Sequence, residues 1–98
     1  MKISAVLITR NAAPDLDRCL ASLDFVDEIV VLDQGSEDGT RETCARYGAK
    51  LHQQEEWLGF GRMKNVAIAH CVNRWIFSID TDEEVTPELK QAILNLPA

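Results

Sequence analysis

Arg74-Trp75-Ile76-Phe77-Ser78-Ile79-Asp80-Thr81-Asp82-Glu83-Glu84 sets an apolar, aromatic and β-branched run directly against four carboxylates in five residues. The run reads as a buried strand. Carboxylates packed at one strand end repel one another unless solvent or a cation relieves them. Asp80 and Asp82 are two apart and face the same way if the extended backbone persists. Such a pair suits a hard divalent cation, Mg²⁺ or Mn²⁺. By itself the stretch also reads as a solvated acidic turn ahead of a helix, so the rest of the chain has to decide.

Upstream, apolar strands alternate with amphipathic helices. Ile3 to Thr9 is almost wholly apolar, as a central parallel strand should be, and ends in Thr9-Arg10-Asn11. Pro14 opens a helix with acidic Asp15 and Asp17 at its positive end, and Leu16, Cys19, Leu20 and Leu23 repeat on one face. Glu28 to Asp33 is a second apolar strand, closed by a carboxylate. In the turn that follows, Gly35 and Gly39 permit positive φ, and Ser36, Asp38 or Thr40 can cap a helix over about Thr40 to Tyr47 that Gly48 ends. Lys50 to Gln53 is short and polar enough for an edge strand. A loop rich in Trp, Phe and Gly precedes a helix over about Arg62 to Cys71, whose inner face carries Met63, Val66, Ala67 and His70. The opening stretch is strand four. Thr86-Pro87 then starts a helix whose Leu89, Ala92, Ile93 and Leu96 predict a buried face.

This order predicts one α/β domain: a doubly wound, mainly parallel four-stranded sheet of order 3-2-1-4 with helices on both faces. Ligands in such sheets bind beyond the carboxyl ends of the strands where the order reverses, here between strands one and four. Thr9-Arg10-Asn11, Asp33 and Asp80-Thr81-Asp82 converge on that rim. A carboxylate on strand two can accept from a base N–H or a sugar O–H, and the acidic pair on strand four can hold a metal that bridges to a diphosphate. Mg²⁺ takes only one or two protein carboxylates and fills the rest of its shell from phosphates and water. Arg10, Arg62 and Lys64 are candidate cations beside it, and no G-x-x-x-x-G-K-[ST] phosphate loop is present.

Ninety-eight residues with 46% hydrophobic content are enough for one small core. A net charge of −6 argues against a nucleic-acid partner. No apolar run reaches the length of a membrane span, and the start lacks a signal-peptide pattern. Cys19, Cys44 and Cys71 are odd in number and form no C-x-x-C pair, which fits free thiols in a reducing, cytoplasmic compartment.

Four runs together resemble family 2 glycosyltransferases of the GT-A fold, and among them the bacterial lipopolysaccharide-core enzymes. They are Ile8-Thr9-Arg10-Asn11, Val30 to Thr40 (VVLDQGSEDGT), Trp57 to Asn65 (WLGFGRMKN) and Asp80-Thr81-Asp82-Glu83. The resemblance implies that residues 1–98 are the nucleotide-sugar-binding half of a GT-A glycosyltransferase domain, a Rossmann-like half using a donor such as a UDP-sugar with Mg²⁺ or Mn²⁺. It places Thr9 and Asn11 in the nucleotide pocket, Asp33 on the base, Asp80 on the ribose, Asp82 on the metal, and Lys64 and Asn65 near the nucleotide. Trp57 and Phe60 shape the pocket wall or pack in the core. The implied acceptor is a glycan or lipid-linked molecule of lipopolysaccharide type, which fits a cytoplasmic protein peripheral to the inner membrane face. Ala12 stands where the family usually has an acidic residue. The family's later half normally supplies the acceptor site and general base, and no base is identifiable here. A non-catalytic nucleotide-binding or assembly module is the competing expectation. With order 3-2-1-4, strand four lies at an edge despite its apolar sequence, which predicts self-association unless the last helix covers it.

Overall fold

The computed structural model describes residues 1–97. Its elements run β1 (Ile3–Thr9), α1 (Ala13–Ala21), β2 (Glu28–Asp33), α2 (Thr40–Arg46), β3 (Lys50–Gln53), α3 (Phe60–Ala69), β4 (Trp75–Ser78) and α4 (Pro87–Leu94). The sheet order is β3-β2-β1-β4, and every pairing is parallel. The doubly wound expectation therefore holds, with order 3-2-1-4.

Strand parity divides the core. Ala5, Leu7 and Val31 point to one face and pack with Leu16, Cys19, Leu20 and Leu23 of the α1 region and Cys44 of α2. Val6, Val30 and Leu32 point to the other and meet Met63 and Ala67 of α3. Helix ends follow local chemistry. Gly48 adopts φ +68° just past α2, a conformation that costs glycine nothing, and Thr86 Oγ1 accepts from Leu89 N at 3.1 Å to cap α4.

Four sequence expectations are corrected. No residue of α4 is buried: Leu89 is 44% exposed, and Leu96, which falls just beyond the helix, is 49% exposed. The helix is tethered beside α1 by Val85 N donating to Ser22 Oγ and by Lys90 Nζ on Asp24, but among the described residues no further layer covers its apolar face. His70 is exposed rather than turned inward; it caps the end of α3 and stacks on His52 of β3, with centroids 3.7 Å apart and planes 10° apart. Cys71 falls just beyond α3 and is half-buried. Trp75 on the outer strand β4 is 44% exposed.

At the amino end of the sheet, Glu28 ties four segments together. Its carboxylate, with a side chain only 3% exposed, accepts from Ser4 Oγ at 2.6 Å, Lys50 Nζ at 2.7 Å and Val72 N at 3.0 Å. Burial pushes this carboxyl up, but the hydrogen bonds from Lys50, Ser4 and Val72 N outweigh it and hold the pKa at about 2 against an ordinary 4.5. A depressed carboxyl stabilises the fold fully above its unfolded pKa and ceases to as pH falls through the folded one. Lys50 remains half-exposed, so solvent screening leaves about 2–3 kcal/mol from this group. Urea titrations should show Glu28→Gln less stable than the parent by about that amount at pH 7, with the two converging as pH falls from about 4.5 towards 2. A constant gap across that range would show that Glu28 acts through packing alone.

Candidate functional site

Thr9, Asn11 and Asp33 are brought together at the carboxyl ends of β1 and β2, with Thr9 and Asp33 buried and Asn11 exposed. Asp33 has no exposed surface. Its Oδ1 accepts from Thr9 Oγ1 at 2.6 Å and Ser36 Oγ at 2.5 Å, and its Oδ2 accepts from Ser36 N at 2.9 Å. Ser36 Oγ in turn accepts from Asn11 N at 2.8 Å. Asn11 sits at φ +49°, which Asn tolerates better than most residues, and its Oδ1 accepts from Glu37 N at 2.8 Å. Asp38 bridges the same two loops: its carboxylate receives Ala13 N of α1 and Thr40 N of α2. Bonds led by the Thr40 hydroxyl hold the Asp38 carboxyl below its usual range. Ser36 and Asp38, read from sequence only as helix caps, thus weld the β1–α1 loop to the β2–α2 loop. The Asp33-to-Ser36 spacing, which lets a carboxylate bond the backbone of its own turn, was the available signal.

The contact expected between Asp33 and a base is not what this geometry offers, because the carboxylate is enclosed and already has three donors. Asn65 is exposed, about 200° around α3 from buried Met63, and does not line the crevice that its neighbour Lys64 borders. Lys64 does reach the rim. It lines a crevice of about 40 Å³ with Ile8, Phe60, Ser78, Ile79 and Asp80, at the β1/β4 switch point on the α3 side. Arg10 and Arg62 are exposed.

Beyond β4 the chain closes a tight turn in which Glu83 N donates to Asp80 O at 3.0 Å and Asp80 N donates to Glu83 Oε1 at 2.9 Å. The turn commits Glu83 to backbone work, and Glu84 lies 3.6 Å from Arg18. The carboxylates of Asp80 and Asp82 are exposed, and among the described residues neither takes a side-chain hydrogen bond or an ion pair. Two free hard-oxygen donors on one open turn fit a divalent cation that draws most of its shell from a diphosphate and water. Among the described residues no cluster of three or more His, Cys, Asp or Glu side chains forms a closed cage.

Nearby Cys19 is no nucleophile. Burial first, then the carboxylates of Glu83, Asp80 and Asp82, pushes its thiol up to about 11. A far larger hollow, about 710 Å³, is lined by Met1, Lys2, Val72, Asn73, Arg74 and Trp75. It lies at the amino ends of β1 and β4, away from the carboxylates and from the end of a doubly wound sheet where ligands bind, so its size does not make it the site.

Residues 4–96 match the family model described as Glycosyl transferase family 2. An uncharacterized glycosyltransferase of Rickettsia felis is 42% identical over 93 residues, covering 94% of this chain and 32% of the relative. The lipopolysaccharide core biosynthesis glycosyltransferase LpsC of Rhizobium meliloti is 33% identical over 102 residues, covering 100% of this chain and 38% of the relative. Among solved structures, S. aureus TarS 1-349 in complex with UDP superimposes with a TM-score of 0.80 at 29% identity, covering 96% of this chain and 31% of that one. Glucosyl-3-phosphoglycerate synthase from Mycobacterium tuberculosis, in complex with Mn²⁺, UDP and glucosyl-3-phosphoglycerate, gives 0.73 at 25% identity, with 96% and 40% covered. The chain spans about a third of the length of the curated relatives it matches.

Proposed function

Because the chain belongs to glycosyltransferase family 2 and has the GT-A architecture, we propose that residues 1–98 form the donor-binding half of a glycosyltransferase domain, holding a nucleotide-diphosphate sugar of the UDP class with a divalent metal. The observation that carries this reading is the exposed, unpaired Asp80 and Asp82 at the switch point, with Lys64 on the opposite wall. Asp82 is the metal ligand and Asp80 faces the ribose. Bound there, Mg²⁺ or Mn²⁺ neutralises diphosphate charge that a chain of net charge −6 would otherwise repel. Lys64 adds a positive charge beside the crevice. Thr9, Asn11 and Asp33 act by fixing the two loops that floor the nucleotide pocket, with Asp33 working through Ser36. Asn65 is left the weakest member of the set.

The reading extends to a glycan or lipopolysaccharide-type acceptor, on the likeness to LpsC, and to a cytoplasmic protein peripheral to the inner membrane face. No helix among the described residues is long and apolar enough to cross a membrane. Self-association through the outer side of β4 belongs to the same reading, since half-exposed Trp75 lies on a strand whose outer edge has no partner among the described residues. A second reading, a nucleotide-binding or assembly module without catalysis, is favoured by the engagement of Glu83 and Glu84, which leaves neither as a free general base. Calorimetry with UDP, with and without Mn²⁺, tests the donor site common to both. Metal-dependent binding is the expected result, and no UDP binding under either condition overturns it.

A further inference from the structure

Phe60 and Trp57 belong to neither half of the core. Phe60 is 70% exposed and Trp57 46% exposed, yet they are ordered against each other, with centroids 4.8 Å apart and planes at 89°. Solvent-exposed aromatic area is unfavourable unless something covers it. Gly59, the N-cap of α3 immediately before Phe60, has φ +89°, a conformation that a side chain would strain. Phe60 also borders the crevice that holds Lys64, Ser78 and Asp80.

We propose that Phe60, braced edge-on by Trp57, is the face on which the base of the donor nucleotide stacks; the inference rests on the nucleotide-sugar reading above. A flat apolar ring, a carboxylate that can accept from sugar hydroxyls and an ammonium, all on one crevice, match the base, ribose and phosphate of a nucleoside diphosphate. The edge-to-face contact with Trp57 fixes the ring before the ligand arrives, so little side-chain freedom is lost on stacking. Every base offers a π-face, so this wall contributes affinity, while hydrogen-bonding groups elsewhere choose the base.

Calorimetry in Mn²⁺ with two probes, UDP and inorganic pyrophosphate, tests the proposal on the parent, Phe60→Ala and Phe60→Tyr. Phe60 is mostly solvent-exposed, so both variants should fold, which circular dichroism checks. A single aromatic stack predicts that Phe60→Ala weakens UDP about tenfold and that Phe60→Tyr restores it. Pyrophosphate affinity should not move. As a second readout, Trp57 emission, isolated in a Trp75→Phe background, should change on adding UDP and not on adding pyrophosphate. Unchanged UDP affinity in Phe60→Ala, or equal losses for both probes, overturns the stacking role while leaving the donor site standing. A parent that binds no UDP overturns both.

Discussion

Asp82→Ala lowers Mn²⁺-dependent UDP affinity by about 100-fold or more while leaving the fold intact. The expectation follows from what Asp82 does not do. Its carboxylate is exposed, outside the Asp80–Glu83 turn bonds and free of ion pairs among the described residues, so truncation breaks nothing that holds the chain together. The thermal midpoint should stay where it is. On the proposed reading, what is lost is a hard oxygen ligand and a unit of negative charge at a site with few protein ligands to begin with. Asp82→Asn keeps one oxygen donor without the charge and should fall between parent and Ala. Calorimetry at fixed Mn²⁺, repeated in chelator, separates the metal-dependent part. Parental UDP affinity in Asp82→Ala would assign the acidic turn to solvent.

Asp33→Ala has the opposite signature: a loss of about 3 kcal/mol in stability, measured by urea denaturation, accompanied by loss of UDP binding. Removing the carboxylate strands three buried donors, Thr9 Oγ1, Ser36 Oγ and Ser36 N. Each unsatisfied buried donor costs about 1–3 kcal/mol, partly offset because a charge no longer has to be kept out of water. The Ser36 hydroxyl that receives Asn11 N is then no longer held by the carboxylate, and the left-handed turn at φ +49° has less to keep it. If Asp33 served chiefly as a contact to the base, UDP affinity would fall with no loss of stability. The two measurements on one variant decide which role it has.

Sheet order was readable because its causes are local and repeated. Continuous apolar runs at Ile3–Thr9 and Glu28–Asp33, separated by helices with one apolar stripe, leave few ways to build a parallel sheet, and polar Lys50–Gln53 could only be an edge. Helix ends at Gly48 and Thr86 were readable for the same reason. The direction of Asp33 was not. A carboxylate after a buried strand reads as a rim group, and only the meeting of Thr9 and Ser36 in space turns it inward. His52 and His70 are stacked across 18 positions of chain, a relation that periodicity cannot express. The stripe on α4 was seen correctly as apolar, but a sequence records amphipathy and not whether a covering partner is there. Lys64, a candidate cation set near the nucleotide by the resemblance alone, and Asp80 line one crevice, a meeting that no spacing in the sequence expresses.

The uncovered last helix implies a gradient in time as well as in space. Opening α4 breaks its own backbone ladder, the Thr86 cap and the tether to Asp24, but takes none of the helix's own side chains out of the core. Opening β1 or β2 means dismantling the core on both faces. In hydrogen exchange the amides of α4 should therefore go first, at a rate set by local fraying, while those of β1 and β2 wait for global unfolding. Between them stands the Asp80–Glu83 turn, fastened to slow β1 through Ile79 N on Val6 O and continuous with a fast helix on its other side. The segment proposed to hold the metal is thus the boundary between a part of the molecule that keeps its shape and a part free to change it.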